Sequence, residues 1–166
     1  VEVLTFYLNL LDRLKFQLTG DQETTIGEIS NDQEDSSKML RLLQGDVGSG
    51  KTIVALFAMM QCIENDKRSV LMAPTEILAE QHFNTIKEFI NNLNLTCSLI
   101  TSSNKNNHNF EADIIIGTHA LFQQKVTFEN IGLVVIDEQH KFGVHQRILL
   151  NEKAGNSCDI LLMTAT

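Results

Sequence analysis

The chain has no apolar run approaching the roughly 20 residues that a membrane-spanning helix needs. Its first residues lack both the basic start and the small-residue cleavage site of a secretory signal. A soluble, intracellular, cytoplasmic protein is therefore expected. Cysteine is scarce: Cys62, Cys97 and Cys158 lie far apart, with no CxxC pair and no histidine at ligand spacing. That pattern indicates neither a disulfide framework nor a zinc site, and predicts three buried small side chains. Proline occurs once, at Pro74, and no internal repeat is present. Basic residues are also in deficit, 13 Lys and Arg against 21 Asp and Glu, for a formal net charge of -8. A broad electrostatic attraction to nucleic acid is thereby disfavoured, so any contact with DNA must be local or supplied elsewhere.

What the sequence does contain is enough apolar material for one core: 166 residues at 43% hydrophobic, too short for two ordinary domains. In residues 1–16, Leu4, Tyr7, Leu8, Leu11 and Leu14 recur at helical spacing, which predicts a leading helix over residues 1–15 joined to an upstream region. The stretches 27–38 and 101–109 are polar throughout and read as exposed loops or helix ends. Elsewhere, short runs of Val, Ile and Leu alternate with longer helical stretches. The runs are 39–44, 70–73, 97–100, 114–117, 133–136 and 160–163. Continuous runs without polar alternation fit strands buried on both faces, so the predicted class is α/β, a mostly parallel sheet flanked by helices on both faces. Residues 50–64 are apolar on nearly every side and predict a helix deep against that sheet.

Between the first of these strands and that helix stands Gly45-Asp46-Val47-Gly48-Ser49-Gly50-Lys51-Thr52, which satisfies the phosphate-loop pattern GxxxxGK[ST]. Glycines open backbone angles closed to other residues, so that successive N–H groups converge on phosphate oxygens at the positive end of the following helix. Lys51 is placed to reach the β and γ phosphates, and the Thr52 hydroxyl to ligate magnesium. A second acidic site follows the strand at 133–136, where Asp137 and Glu138 stand at its C-terminal end. Ligands of open α/β sheets collect at that edge. Asp137 can hold the magnesium shell while Glu138 orients the attacking water. Two acids after a strand are by themselves commonly a loop start or a helix cap; the upstream phosphate loop turns the reading toward a nucleoside triphosphate hydrolase.

Taken in order, FQLTGDQ (16–22), GDVGSGKT (45–52), MAPTEILAEQH (72–82), GTHALFQ (117–123), IDEQHKFGVHQR (136–147) and MTAT (163–166) resemble the first RecA-like lobe of superfamily 2 helicases. Within that superfamily, DEQHKFGVHQR is most similar to the RecG family of bacterial branch-migration helicases. The resemblance implies a P-loop RecA-like lobe over residues 16–166 that uses ATP and Mg2+ and acts with DNA, in the bacterial nucleoid. It also implies roles residue by residue. Gln22, with Thr19 nearby, is similar to an adenine-side contact, the competing role for Thr19 being a helix cap. Thr75, Glu76, Thr118 and His119 occupy motif positions that approach the sugar-phosphate backbone of DNA, where strand-end capping is the alternative. Gln139, His140, Thr164 and Thr166 match positions that couple nucleotide state to domain movement.

The connection over 101–111 is shorter than is usual in the family. Val1 and Thr166 give the expectation of a piece cut from a longer protein, without the second RecA-like lobe or a wedge domain. Such a piece alone should hydrolyse ATP feebly, since arginines across an interlobe cleft contribute about 10³ to 10⁵ in rate. Two other readings stay open: a noncatalytic nucleotide-binding remnant or interaction module, and the lobe of a transcription-repair coupling translocase.

Overall fold

A computed structural model describes residues 18–34, 39–45, 50–91, 93–103, 111–118, 129–138 and 158–164. The predicted leading helix over residues 1–15 lies outside them. Six strands run in chain order: β1 (Leu40–Gln44), β2 (Arg68–Ala73), β3 (Cys97–Ile100), β4 (Ile114–Thr118), β5 (Ile131–Ile136) and β6 (Asp159–Thr164). Among the described residues three helices accompany them, α1 (Gly20–Glu34), α2 (Lys51–Glu64) and α3 (Glu76–Ile90). The strands form one sheet in the order β1-β6-β5-β2-β4-β3, and every neighbouring pair is parallel. All strand C-termini therefore meet at a single edge, which is what positions the site described below.

Alternate residues of the central strands feed two cores, as the two-residue period of a strand requires. Leu71, Ala73, Ile116, Leu133, Val135, Leu161 and Met163 face one way and pack under the three helices. Val70, Met72, Ile115, Val134 and Ile136 face the other way and are equally buried. This two-sided burial is why the central strands read as unbroken apolar runs. The two outer strands differ. On β1, exposure alternates along LRLLQ, and Leu40 and Leu42 are 71% and 46% exposed. The expectation that every run is buried on both faces is corrected at this edge, because β1 has a neighbour, β6, on one side only.

Ten of the 14 residues of α2 are buried, more than one stripe can hold, so the helix needs cover on two sides. The sheet provides one cover and α1 the other. Ile26 and Ile29 of α1 enter the same core, Ser30 and Gln61 exchange hydrogen bonds, and Gln33 Nε2 donates to the Ala58 carbonyl at 3.0 Å. Each large apolar side chain buried this way contributes about 1.5–3 kcal/mol. Of the two readings of 27–38, exposed loop or helix end, the second holds through Glu34, where the stretch is the closing half of α1 with Ile29 buried. Its acids are held by a tertiary contact, since Arg41 on β1 pairs with Glu28 and, at 2.6 Å, with Asp32. Thr101, assigned to an exposed stretch, is buried at the end of β3, while 104–109 lie outside the described residues.

All three cysteines are free; Cys62 and Cys158 are buried and Cys97 is only half-buried, a correction to the expectation for that residue. Desolvation pushes the Cys62 thiol up to about 11 and the Cys97 thiol to about 12. Neither forms a ready thiolate near neutral pH. No helix among the described residues is long and apolar enough to cross a membrane.

Candidate active site

Four chain segments gather at the C-terminal edge of the sheet, three of them following β1, β5 and β2 and one at the start of α1. The first follows β1. Gly45 N–H donates to the Thr164 carbonyl at 3.3 Å, which ties the start of the phosphate loop to the end of β6. Lys51 Nζ donates to the Gly45 carbonyl at 2.6 Å, so its ammonium lies beside the first residue of the phosphate-loop pattern. At Gly50 the backbone is left-handed, φ 83, and this residue caps α2 without a side-chain hydrogen bond. Thr52 is half-buried one residue inside the helix, where orphan N–H groups and the dipole favour an anion. Asp46, Val47, Gly48 and Ser49 lie outside the described residues.

The second segment is the start of α1. Thr19 Oγ1 accepts from Gln22 N at 3.1 Å, and Gln22 Oε1 accepts from Thr19 N at 2.9 Å, a reciprocal capping box that fixes the amide of Gln22. That amide sits directly over Gly50: a β-carbon built there would lie 2.1 Å from Gln22 Nε2. The capping role of Thr19 is therefore realised, and it holds Gln22 against the phosphate loop, although 28 positions along the chain separate Gln22 from Gly50.

The third segment follows β5. Asp137 N donates to the Met72 carbonyl at 2.8 Å, continuing the pairing with β2 one residue past the strand. Its carboxylate is gripped at both oxygens: Oδ1 accepts from Glu138 N at 2.9 Å, and Oδ2 lies 2.7 Å from His82 Nε2. Glu138 adopts φ 50, a left-handed backbone that costs a non-glycine residue about 1–2 kcal/mol. Strain of this kind gathers at functional sites. Between this segment and the phosphate loop lies the end of β6, with Thr164 buried. Gln139, His140 and Thr166 lie outside the described residues.

The fourth segment follows β2, where Pro74 ends the strand. Thr75 caps α3, its Oγ1 accepting from Leu78 N at 3.2 Å. Glu76 reaches across to the end of β3: Ser102 N donates to Oε1 at 3.0 Å, the Ser102 hydroxyl bonds the same oxygen, and Ser103 Oγ donates to Oε2 at 3.1 Å. Those bonds, the Ser102 hydroxyl foremost, hold the Glu76 carboxyl below the usual carboxylate range. Thr118 ends β4, half-buried, and His119 lies outside the described residues.

The oxygen chemistry of Thr52 and Asp137 is of the kind that magnesium would take. Thr52 and Asp137 offer hard oxygens from the helix and the sheet edge, and among the described residues no group of three His, Cys, Asp or Glu side chains is arranged to hold a metal. A cation bound by one hydroxyl and one carboxylate draws its other ligands from phosphate and water, the habit of Mg2+.

His82 was not singled out from the sequence. It occupies the buried stripe of α3, three residues after Ala79 and four before Ile86, both fully buried. A polar ring on an apolar stripe is the available signal, but its partner is 55 residues away.

Compared with known proteins, residues 19–166 match the family model described as DEAD/DEAH box helicase. The chain is 49% identical over 162 residues to the ATP-dependent DNA helicase RecG of Streptococcus pneumoniae, covering 92% of this chain and 24% of that protein. With RecG of Synechocystis it shares 46% over 164 residues, covering 93% and 20%. The chain thus spans between 20% and 24% of the length of these two relatives. The solved structure of RecG bound to a three-way DNA junction matches at a TM-score of 0.80 and 37% identity, over 95% of this chain and 22% of that one. Yeast Dbp5 bound to RNA and ADP BeF3 matches at a TM-score of 0.76 over 98% of this chain and 44% of that one; at 21% identity this shows the fold alone. The expected RecA-like α/β fold and the helicase resemblance are both borne out.

Proposed function

Because the chain belongs to the DEAD/DEAH box helicase family, we propose that it is the ATP-binding motor lobe of a RecG-type helicase whose whole protein couples ATP hydrolysis to the remodelling of branched DNA. The observation that carries this reading is the convergence at one sheet edge of Gln22 over Gly50, Lys51 on the Gly45 carbonyl, and the Asp137–Glu138 pair two strands away. In this reading the loop from Gly45 to Thr52 binds the triphosphate and Gln22 contacts the adenine side. Lys51 leaves the Gly45 carbonyl for the β and γ phosphates. Thr52 and Asp137 hold Mg2+, which when bound neutralises charge on the transferring phosphoryl group. Glu138 orients the attacking water and takes up its proton.

The strand ends at Thr75 and Thr118, with His119, face DNA in this proposal, and Glu76 braces the turn that carries Thr75 through its bonds to Ser102 and Ser103. Gln139, His140, Thr164 and Thr166 transmit nucleotide state. Thr164 is suited to that work because its carbonyl accepts from the first residue of the phosphate loop. With a net charge of -8 the chain does not attract DNA broadly, so DNA contact by this lobe is local in this proposal.

Equilibrium binding of ATP with magnesium, alongside steady-state hydrolysis, tests the reading. Lys51→Ala should lose binding. Glu138→Gln should bind normally while hydrolysis falls by about 10² or more. Equal, weak binding by the parent and both variants would refute the proposal and favour a noncatalytic module.

A further inference from the structure

We propose that His82 is a positioning residue for the magnesium carboxylate. It holds Asp137 by donating from Nε2 to Oδ2, so that the two carboxylate oxygens are presented in one fixed orientation. The inference rests on the nucleotide site proposed above and gives a role to His82, the last residue of MAPTEILAEQH, to which the sequence reading assigned none.

Three observations carry it. An ionised carboxylate only accepts hydrogen bonds, so the 2.7 Å contact places a proton on His82 Nε2 and fixes the tautomer of the ring. The second oxygen of the same carboxylate accepts from Glu138 N at 2.9 Å. One donor leaves a carboxylate free to swing about its terminal torsion; two donors on different oxygens define its plane. Finally, the ring itself is immobilised. Its side chain is 12% exposed, against 16% for Asp137, and it projects from the stripe of α3 that Ala79 and Ile86 pack into the core.

This geometry adds a side-chain link between two parts of the edge whose backbones already pair, Asp137 N bonding the Met72 carbonyl. The N-terminus of α3 carries Thr75 and Glu76, the proposed DNA side, and α3 rests on β4, β3 and β2. Asp137 belongs to the nucleotide side. His82 bonds the Asp137 side chain from α3, so a shift of α3 along its axis would turn the carboxylate that holds the cation. Outer residues that orient metal-binding carboxylates commonly contribute 10- to 100-fold in metal affinity.

The test is the Mg2+ concentration needed for half-maximal ATP binding by the intact protein, measured for the parent, His82→Ala, His82→Gln and Lys51→Ala, with ATP binding in EDTA measured in parallel. His82→Ala should raise the Mg2+ requirement by about 10-fold or more and leave the Mg2+-free ATP affinity unchanged. His82→Gln, whose amide N–H can reach the same oxygen, should recover most of the loss. Thermal melting of each variant reports folding separately. A Mg2+ requirement that is unchanged or lower in His82→Ala overturns the proposal; a lower one would mean that the ring competes with the cation. An equal fall in Mg2+-free and Mg2+-dependent binding also overturns it, by showing that the ring only supports the fold. If Lys51→Ala binds ATP as well as the parent does, the nucleotide site itself is refuted, independently of His82.

Discussion

Replacing Gly50 by alanine should destabilise the lobe through two separable effects, both readable from the geometry. The backbone at Gly50 sits at φ 83, where an alanine costs about 1–2 kcal/mol. The added methyl would also lie 2.1 Å from Gln22 Nε2 and 3.4 Å from its Cδ, so the amide must swing away. Because that amide is the far end of a flexible side chain, the movement itself is cheap, but it breaks the 2.9 Å bond from Thr19 N to Gln22 Oε1. A bond of this kind contributes about 0.5–1.5 kcal/mol. The total is about 1.5–3.5 kcal/mol, which for a domain of this size lowers the melting temperature by roughly 3–14 °C. Urea denaturation of the four members of the cycle Gly50→Ala, Gln22→Ala, the double variant and the parent separates the two effects. In the Gln22→Ala background the clash is gone, so Gly50→Ala should cost only its backbone share, and the coupling should be about 0.5–1.5 kcal/mol. Additive costs would show that Gln22 does not rest on Gly50 and would remove the structural link between α1 and the phosphate loop. On the same reasoning, Gly50→Ala should weaken discrimination of ATP from GTP by more than it weakens binding of inorganic triphosphate.

Two other consequences are open to measurement. Gly132→Ala places a β-carbon 2.7 Å from Cys62 Sγ and 2.8 Å from Lys67 Cβ, where α2 closes on β5, and should destabilise by about 1–3 kcal/mol. It lies near the N-terminal end of β5, away from the nucleotide edge, so ATP affinity in the folded variant should equal that of the parent; a changed affinity would contradict this separation. The thiols give a pH dependence: with folded values near 11 for Cys62 and 12 for Cys97 against an ordinary 9.0, the unfolded chain releases their protons first as pH rises. Their stabilising contribution is complete below pH 9 and declines from about pH 9 toward 11 and 12. Urea midpoints measured from pH 8 to 10.5 should fall more in the parent than in a Cys62→Ser, Cys97→Ser double variant, and parallel curves would refute the assignment.

The sheet was legible in the sequence because a parallel strand covered on both faces needs no partner to be recognised: Cys97 to Ile100 is found within the bounds read from its composition, and β2, β4, β5 and β6 begin or end within two residues of theirs. The phosphate loop was legible for a related reason, as its glycines and Lys51 act within eight consecutive residues. Residues 27–34 were not, since GEISNDQE carries one large apolar side chain, Ile29, and its acids gain their partner only when Arg41 comes alongside. The half-exposed face of β1 was hidden because LRLLQ says nothing of which strands will flank it.

Composition and local spacing determined by themselves that this chain builds a parallel α/β sheet around a phosphate loop, since strand burial, helix period and loop chemistry are properties of a few adjacent residues. Tertiary structure alone decided that β6 lies between β1 and β5, that Gln22 covers Gly50, that Glu76 bonds Ser102 and Ser103, and that His82 holds Asp137. The side-chain pairings among these join residues 26 to 55 positions apart. They depend on which strands become neighbours, and strand order follows from the packing of whole helices against the sheet rather than from any residue's own preference.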